Sequence, residues 1–429
     1  MINWLIILAI VASIALGYKT KFNTGLFGMV FAYLIGTFVL DLKPSAIIKM
    51  WPISIFFVIF AISLFYNFAT ANGTLEKFAQ LLLYKTQKVP KLLPFAIFIC
   101  ATIMSTLGAG FFAVMAFFAP ITVVLCRKTG LSPLIGALAV NYGALCGHNF
   151  MISPGGVVFI GLMEQAGIGD VAYTYEFYIF LVGLVIPLIV LSVLMLFQKG
   201  MKQADTLTVE RPEAFTVVQK RTLCLIFAMV AVLLAFPILS AAFPTVKAFV
   251  FLKKSIDVGL VAIIFTVIGL FLNLGKEKEL VKNVPWGTLI MICGVGMLIS
   301  VAVKAGTIQA LSTFVSHGLP TALIPLAMAI VGGIMSFFSS ATGVVTPALF
   351  PVVPSLVAAS GINAFVLFSS IVIGAQATAI SPFSTGGSMM LSAEGDENRE
   401  AMFNKLMFKA APICLGAAAI YAVAINLVL

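Results

Sequence analysis

Glycines, hydroxyls and amides occur at four interruptions within otherwise apolar stretches of this sequence. The interruptions are residues 105–110, 143–156, 336–343 and 374–387. Backbone that leaves helical geometry inside a membrane must have its polar groups satisfied by protein or by a water-filled cavity. The N–H groups that begin a helix bind carboxylates, and unwound carbonyls and hydroxyls bind small hard cations. The interruptions therefore predict a carboxylate site near the middle of the membrane.

The predicted substrate-binding residues are the polar side chains and glycines at these interruptions. They are Ser105, Gly108, Gly110, Asn141, His148, Asn149, Ser153, Ser339, Ser340, Thr342, Gln376, Thr378, Ser381, Ser384 and Thr385. For each hydroxyl, the alternative is a structural hydrogen bond to another helix or to the carbonyl four residues earlier. For His148, the alternatives are a substrate contact, a proton-carrying role or a neutral histidine bonded to a carbonyl.

The interruptions come in pairs because the sequence contains two related halves. The offset is 231 residues, from Pro120 to Pro351. The matching segments are Ile103–Ser105 with Ile334–Ser336, Ser153–Gly156 with Ser384–Gly387, and Asn72–Leu75 with Ala305–Ile308. Two related halves with broken hydrophobic segments at matching positions are typical of secondary transporters.

The composition indicates an integral membrane protein. Hydrophobic residues make up 62% of the chain and charged residues 9%, and a span needs about 20 apolar residues. The first segment, residues 2–16, follows no basic residue and precedes no cleavage site, so we interpret it as a retained span. The net charge of +10 is spread over loops, which argues against nucleic-acid binding. The six cysteines form no CxxC motif, so neither disulfides nor a metal centre is expected.

The hydrophobic pattern predicts an all-α integral membrane protein of two inverted repeats. Each repeat has five transmembrane helices, a re-entrant hairpin and a broken helix. The predicted parts are 1–90 (scaffold, first repeat), 91–198 (transport, first repeat), 199–221 (cytoplasmic linker), 222–318 (scaffold, second repeat) and 319–429 (transport, second repeat). The predicted hairpins are 91–128 and 320–357, the broken helices are 132–163 and 363–391, and a crossing at 177–197 leaves Glu176 in an outer loop.

The basic residues favour this topology. With both termini outside, 19 Lys and Arg residues are cytoplasmic and 6 are outside, as the positive-inside rule requires. If the hairpins crossed the membrane fully, the basic loops would be divided between the two sides. The predicted location is the inner, cytoplasmic membrane of the cell, with several passes.

The order and paired spacing of several motifs resemble a known family. The motifs are Asn72–Leu75, Gly108-Ala109 with Pro120, Ser153 with Gly155-Gly156, and Ser339–Val345 with Pro347. They resemble the ion transporter superfamily that includes the divalent anion/sodium symporters, and more closely the dicarboxylate carriers of the malonate-carrier (MatC) type. In the symporters both hairpin tips read Ser-Asn-Thr, whereas here they read Ala109-Gly110-Phe111 and Ser340-Ala341-Thr342.

The resemblance implies an elevator-type homodimer in which the hairpins, broken helices and final spans move against the scaffold. It also implies a carboxylate substrate and sodium as a coupling ion. The candidate sodium ligands are Ser105, Ala109, Gly147, Ser336, Ser339, Ala341 and Thr378.

The function that these observations favour is secondary active transport of a small carboxylate or dicarboxylate, coupled to Na⁺ or H⁺. The alternatives are an exporter or exchanger of another anion, such as an inorganic oxyanion or arsenite, and a passive anion channel. No nucleotide motif and no catalytic pair occurs, so no enzymatic activity and no cofactor other than a coupling ion is expected. No Asp, Glu, Lys or Arg lies in the four interruptions, which argues against a proton antiporter.

Overall fold

The computed structural model describes residues 2–86, 92–198, 213–243, 245–248, 251, 255, 257–394 and 396–429. Every regular element within these residues is a helix. Seven helices of the described chain are long and apolar enough to cross a membrane. The all-helical class predicted from the sequence is confirmed, and the molecule has the helices of a multi-pass membrane protein.

The helices of the first half are numbered α1 to α10. They are α1 Ile2–Thr20, α2 Thr24–Phe38, α3 Pro44–Ile48, α4 Ile53–Ala71, α5 Thr74–Thr86, α6 Leu93–Met104, α7 Gly110–Thr129, α8 Pro133–His148, α9 Pro154–Gln165 and α10 Gly169–Leu196. A π-helical turn, Ser105–Ala109, joins α6 to α7.

The second half repeats this series of elements. Its helices are α11 Val217–Ala242, α12 Val258–Phe271, α13 Glu277–Lys282, α14 Trp286–Lys304, α15 Thr307–Gly318, α16 Ile324–Phe337, α17 Ala341–Ser360, α18 Ala364–Ala377, α19 Thr385–Ala393, α20 Asp396–Lys405 and α21 Ala411–Val428. Short 3₁₀ or π turns, Thr321–Leu323, Ala341–Val345, Phe350–Val352 and Leu406–Ala410, precede or interrupt α16, α17 and α21.

Matching glycines start a helix in each half. Gly73 (φ 69°) precedes α5 and Gly306 (φ 75°) precedes α15. Because only glycine adopts positive φ without steric cost, each glycine turns the chain out of the preceding span into a short surface helix. The second of these helices occupies residues that the sequence pattern suggested were only a polar connection.

The start of α11 corrects the predicted linker of residues 199–221. Residues 199–212 lie outside the described residues, and α11 begins at Val217, inside the predicted linker. The Thr216 hydroxyl accepts a hydrogen bond from the Gln219 N–H (3.2 Å), and the Gln219 side chain accepts one from the Thr216 N–H (3.1 Å). This reciprocal cap satisfies two free N–H groups and begins the helix before the apolar run.

The start of α10 is also earlier than predicted. A crossing at 177–197 places Glu176 in a loop, whereas α10 begins at Gly169 and Glu176 is 0% exposed within it. Gly167 (φ 81°) makes the turn between α9 and α10. Asp170 lies in the first helical turn, where a negative charge is favourable. The acidic residues near the helix start therefore do not end the helix, and the hydropathy boundary was wrong by about two turns.

The two halves pack against each other reciprocally. Helix α2 of the first half packs on α14 of the second, and α12 of the second packs on α4 of the first. Gly25 and Gly28 bring the backbone of α2 onto the carbonyls of Ile290 and Gly294. Within each half, α6 packs on α8 and α16 packs on α18, so each broken helix is held against its own hairpin.

Candidate functional site

The two broken helices have the same local geometry. Helix α8 ends at His148 and α9 begins at Pro154; α18 ends at Ala377 and α19 begins at Thr385. Their N-cap residues have nearly equal dihedrals, φ −86° and ψ 160° at Ser153 and φ −86° and ψ 168° at Ser384. The second glycine of each pair, at 156 and 387, packs directly on backbone carbonyls of its own break. A side chain at either glycine would push the two half-helices apart.

The two hairpin tips also depart from helical geometry. In the first tip, Gly108 (φ 89°) and Gly110 (φ 68°) have positive φ, and Gly108 lies against the ring of Tyr66 on α4. In the second tip, α16 ends at Phe337 and α17 begins after Ser340. The Ser340 hydroxyl caps α17 by accepting a hydrogen bond from the Gly343 N–H (3.0 Å).

The tips and breaks meet at one cavity of about 340 Å³. On its opposite side the wall is formed by α4 and by the start of α14. The predicted site residues that line the cavity are Gly108, Gly110, His148, Ser339, Ser340, Ala341, Thr342, Ser384 and Thr385. The cavity therefore contains residues from all four interruptions, which lie up to 278 residues apart in the chain between Gly108 and Gly386.

The remaining predicted residues lie outside the cavity lining. They are Ser105, Asn141, Gly147, Asn149, Ser153, Ser336, Gln376, Thr378 and Ser381. Several of them hold the breaks in shape: the Ser153 hydroxyl donates to the Ser105 carbonyl, and the Thr378 hydroxyl donates to the Gly333 carbonyl at 2.6 Å. The side chain of Ala109, a candidate sodium ligand, lies outside the described part of the structure.

An amide pair behind the cavity joins the two halves. Asn149 Nδ2 donates to Gln376 Oε1 (3.0 Å), and Gln376 Nε2 donates to Asn149 Oδ1 (2.7 Å). Both side chains are buried. Each amide satisfies the other, so this pair fixes the first broken helix to the second.

Four helix N-termini converge on the cavity. The first residues of α7, α9, α17 and α19 are Gly110, Pro154, Ala341 and Thr385, and all four line it. The N-terminus of a helix has a partial positive charge and unpaired N–H groups. No Lys, Arg, Asp or Glu of the described chain lines the cavity. The helix termini therefore supply a positive field in the absence of a charged side chain, and the arrangement favours an anion.

The cavity hydroxyls fall into two groups. Ser339 donates to the Met335 carbonyl (2.6 Å), and Ser384 donates to the Ala379 carbonyl (2.6 Å). The hydroxyls of Thr342, Thr385 and Thr288 form no hydrogen bond with any described residue. The first group holds the backbone at the tips and breaks, and the second group is available to a ligand.

Sequence analysis missed the wall opposite the interruptions. Ser63, Asn67 and Thr70 on α4 line the cavity, together with Asn283 and Thr288 near the start of α14. The α4 residues are spaced by four and three positions, so they form one polar stripe on an apolar span. That spacing is a signal that could have identified α4 as a wall of the site.

Two buried serines at equivalent positions have no partner. The hydroxyls of Ser105 and Ser336, which are 231 residues apart, are 0% exposed and form no hydrogen bond. Both belong to the candidate sodium set. The described residues contain no group of three or more His, Cys, Asp or Glu side chains that could hold a metal ion, so any cation here would be bound by hydroxyl and carbonyl oxygens.

Comparison with known proteins supports the resemblance seen in the sequence. Residues 1–148 match the family model described as the dicarboxylate carrier protein MatC N-terminus. No curated protein matches the chain. Among solved structures, the chain is similar to the Alcanivorax borkumensis YdaH transporter, whose crystal structure has an unusual topology. The TM-score is 0.61 at 15% identity, and the match covers 99% of this chain and 98% of that chain. The fold is that of a membrane transporter, and the MatC-type resemblance is confirmed for residues 1–148.

Proposed function

We propose that this protein is a secondary active transporter of a small carboxylate or dicarboxylate anion. The observation that carries the proposal is the convergence of four helix N-termini on one cavity without a charged side chain. Such a site binds an anion through N–H groups and helix dipoles and releases it readily, because no fixed cation holds it. The match of residues 1–148 to a dicarboxylate carrier family favours the same substrate class.

In this proposal one carboxylate lies against the second half. The N–H groups at the start of α17 and α19 and the hydroxyls of Thr342 and Thr385 bind it. The second carboxylate lies against the start of α7 and α9, beside His148. The polar side chains of α4 and α14 complete the cavity on the other side.

A coupling cation offsets the negative charge of the substrate. The fit for sodium rests on the orphan hydroxyls of Ser105 and Ser336, because hydroxyl and carbonyl oxygens are the ligands that small hard cations prefer. A proton is the other candidate. In either case, substrate and cation lower the electrostatic cost of each other's binding.

The proposed mechanism is an elevator motion of a homodimer in the cytoplasmic membrane, with both termini outside. The halves are inverted repeats, and the hairpins, the broken helices, α10 and α21 move as one transport part. The location of the cavity supports this assignment, because it lies between those elements and the α4 and α14 wall. Sliding along that wall would expose the cavity to either side in turn.

Counterflow in proteoliposomes tests the function. Purified protein is reconstituted with unlabelled malonate inside, and radiolabelled malonate is added outside. We expect labelled malonate to accumulate transiently and saturably, with succinate as a competitor and chloride as the inert control. Flux that rises linearly with concentration and shows no counterflow would indicate a channel. Absence of counterflow with a panel of mono- and dicarboxylates would refute the proposal.

A further inference from the structure

A buried carboxyl lies within the membrane-spanning part of α10, outside the cavity. Glu176 is 0% exposed, and both of its oxygens lack a hydrogen-bond partner. No Lys or Arg nitrogen of the described chain lies within 4.0 Å of it, since the ion pairs found there involve only Lys77 and Arg127. An unpaired carboxylate in an apolar interior is so costly that the group binds a proton instead.

The neighbours of Glu176 offer it no counter-charge. Helix α10 packs against α6, α8, α9, α18 and α21. Their titratable side chains are Cys100 on α6, Tyr142, Cys146 and His148 on α8, Glu164 on α9, and Cys414 and Tyr421 on α21; α18 has none. None of these forms a hydrogen bond or an ion pair with Glu176. A carboxyl that served only the packing of the helices would need a partner there.

The same face of α10 connects Glu176 to the centre of the site. Ala172, Glu176, Ile179 and Gly183 are buried at spacings of four, three and four residues, so they lie on one face. A Cβ atom at Gly183 would lie 3.4 Å from Asn149 Nδ2, in the amide pair behind the cavity. The rise of a helix places Glu176 about 10 Å from that level, towards the start of α10.

We infer that Glu176 is the proton-binding residue that couples proton and carboxylate transport. The inference rests on the proposed function. Protonation converts the carboxylate into a neutral carboxylic acid, and no other bond changes. A substrate anion in the cavity disfavours a negative charge about 10 Å away, by about tenfold per charge at an effective dielectric constant of about 20. Substrate binding therefore favours proton binding, and by linkage the proton favours the substrate.

The coupling predicts symport. The substrate-loaded carrier moves with Glu176 protonated, and the proton leaves when the substrate leaves. One proton per substrate allows each unit of pH difference to sustain about a tenfold substrate ratio, beyond any membrane-potential contribution.

The test compares Glu176→Gln with Glu164→Gln in proteoliposomes. Glu164 is exposed on the last turn of α9 and does not line the cavity. With malonate as the probe, we expect the wild type and Glu164→Gln to accumulate malonate on the alkaline side of an imposed pH difference. Glu176→Gln should keep counterflow and lose this accumulation. Because all variants meet the same substrate protonation states, the difference reports on the protein.

Each outcome decides the question. Loss of wild-type counterflow would overturn the proposed function itself. Counterflow without pH-driven accumulation in the wild type, or accumulation that persists in Glu176→Gln, would overturn only the role of Glu176. If Glu176→Gln does not fold, proton uptake is measured on adding malonate to the purified wild type in weakly buffered solution. Uptake no greater than that of malonate alone would then overturn the role.

Discussion

Substituting Thr342 by valine tests whether the second hairpin tip binds the substrate. Thr342 lines the cavity, and its hydroxyl forms no hydrogen bond with any described residue. Valine has the same branched shape and replaces the hydroxyl with a methyl group. The hydrogen bond that Thr346 donates to the Thr342 backbone carbonyl (3.3 Å) is kept. A hydrogen bond to a charged group contributes about 1.5–3 kcal/mol. Since 1.4 kcal/mol is a factor of ten, malonate affinity should fall roughly tenfold to a hundredfold or slightly more.

The matched control is Thr346→Val, one turn further along α17. Thr346 is 0% exposed, does not line the cavity, and uses its hydroxyl within the helix. Its loss should lower thermal stability by about 1 kcal/mol and leave affinity within about twofold. Affinity is measured by isothermal titration of purified protein and by the transport KM. If Thr342→Val binds malonate as the wild type does, or if the two variants lose affinity equally, the tip does not bind the carboxylate through this hydroxyl.

Two further predictions concern the first hairpin and the topology. Gly108→Ala should destabilise the protein by about 1–3 kcal/mol more than Gly361→Ala in thermal unfolding, because both sites have positive φ but a Cβ only at Gly108 would overlap the Tyr66 ring; equal losses would contradict this. In a Cys224→Ser background, Ser392→Cys should resist an impermeant external thiol reagent in intact cells and react in inverted vesicles, because the basic loops place this end of the broken helix in the cytoplasm. Labelling in intact cells would reverse the topology.

The location of the breaks could be predicted from the sequence because glycine, proline and hydroxyl residues stop helices for local reasons. The repeat offset then paired the breaks, and the N-cap dihedrals at Ser153 and Ser384 agree within a few degrees. The same logic identified nine predicted residues that line the cavity. These are signals that a short stretch of chain carries by itself.

The wall formed by α4 and α14 could not be found from breaks, since both helices are continuous. Its signal is a helical spacing, visible at Ser63, Asn67 and Thr70, which matters only once a partner surface is known. The roles of Asn149 and Gln376 depend on a contact across 227 residues. Glu176 was misplaced because a hydropathy window penalises a carboxylate, although a helix accommodates one on a buried face.

The two walls of the cavity have different consequences for transport. Contacts from α9, α17 and α19 belong to elements that carry the substrate, so in an elevator they persist through the cycle. Contacts from α4 and α14 must break whenever the carrier moves. Polar groups on that wall, such as Asn67, whose Nδ2 already donates to the Leu280 carbonyl (2.8 Å), can hold the substrate only weakly without slowing the motion. A wall of hydroxyls and amides without charge meets that requirement, because each contact can be exchanged for water at small cost. The absence of Lys and Arg from the lining is therefore a condition for movement as well as for release.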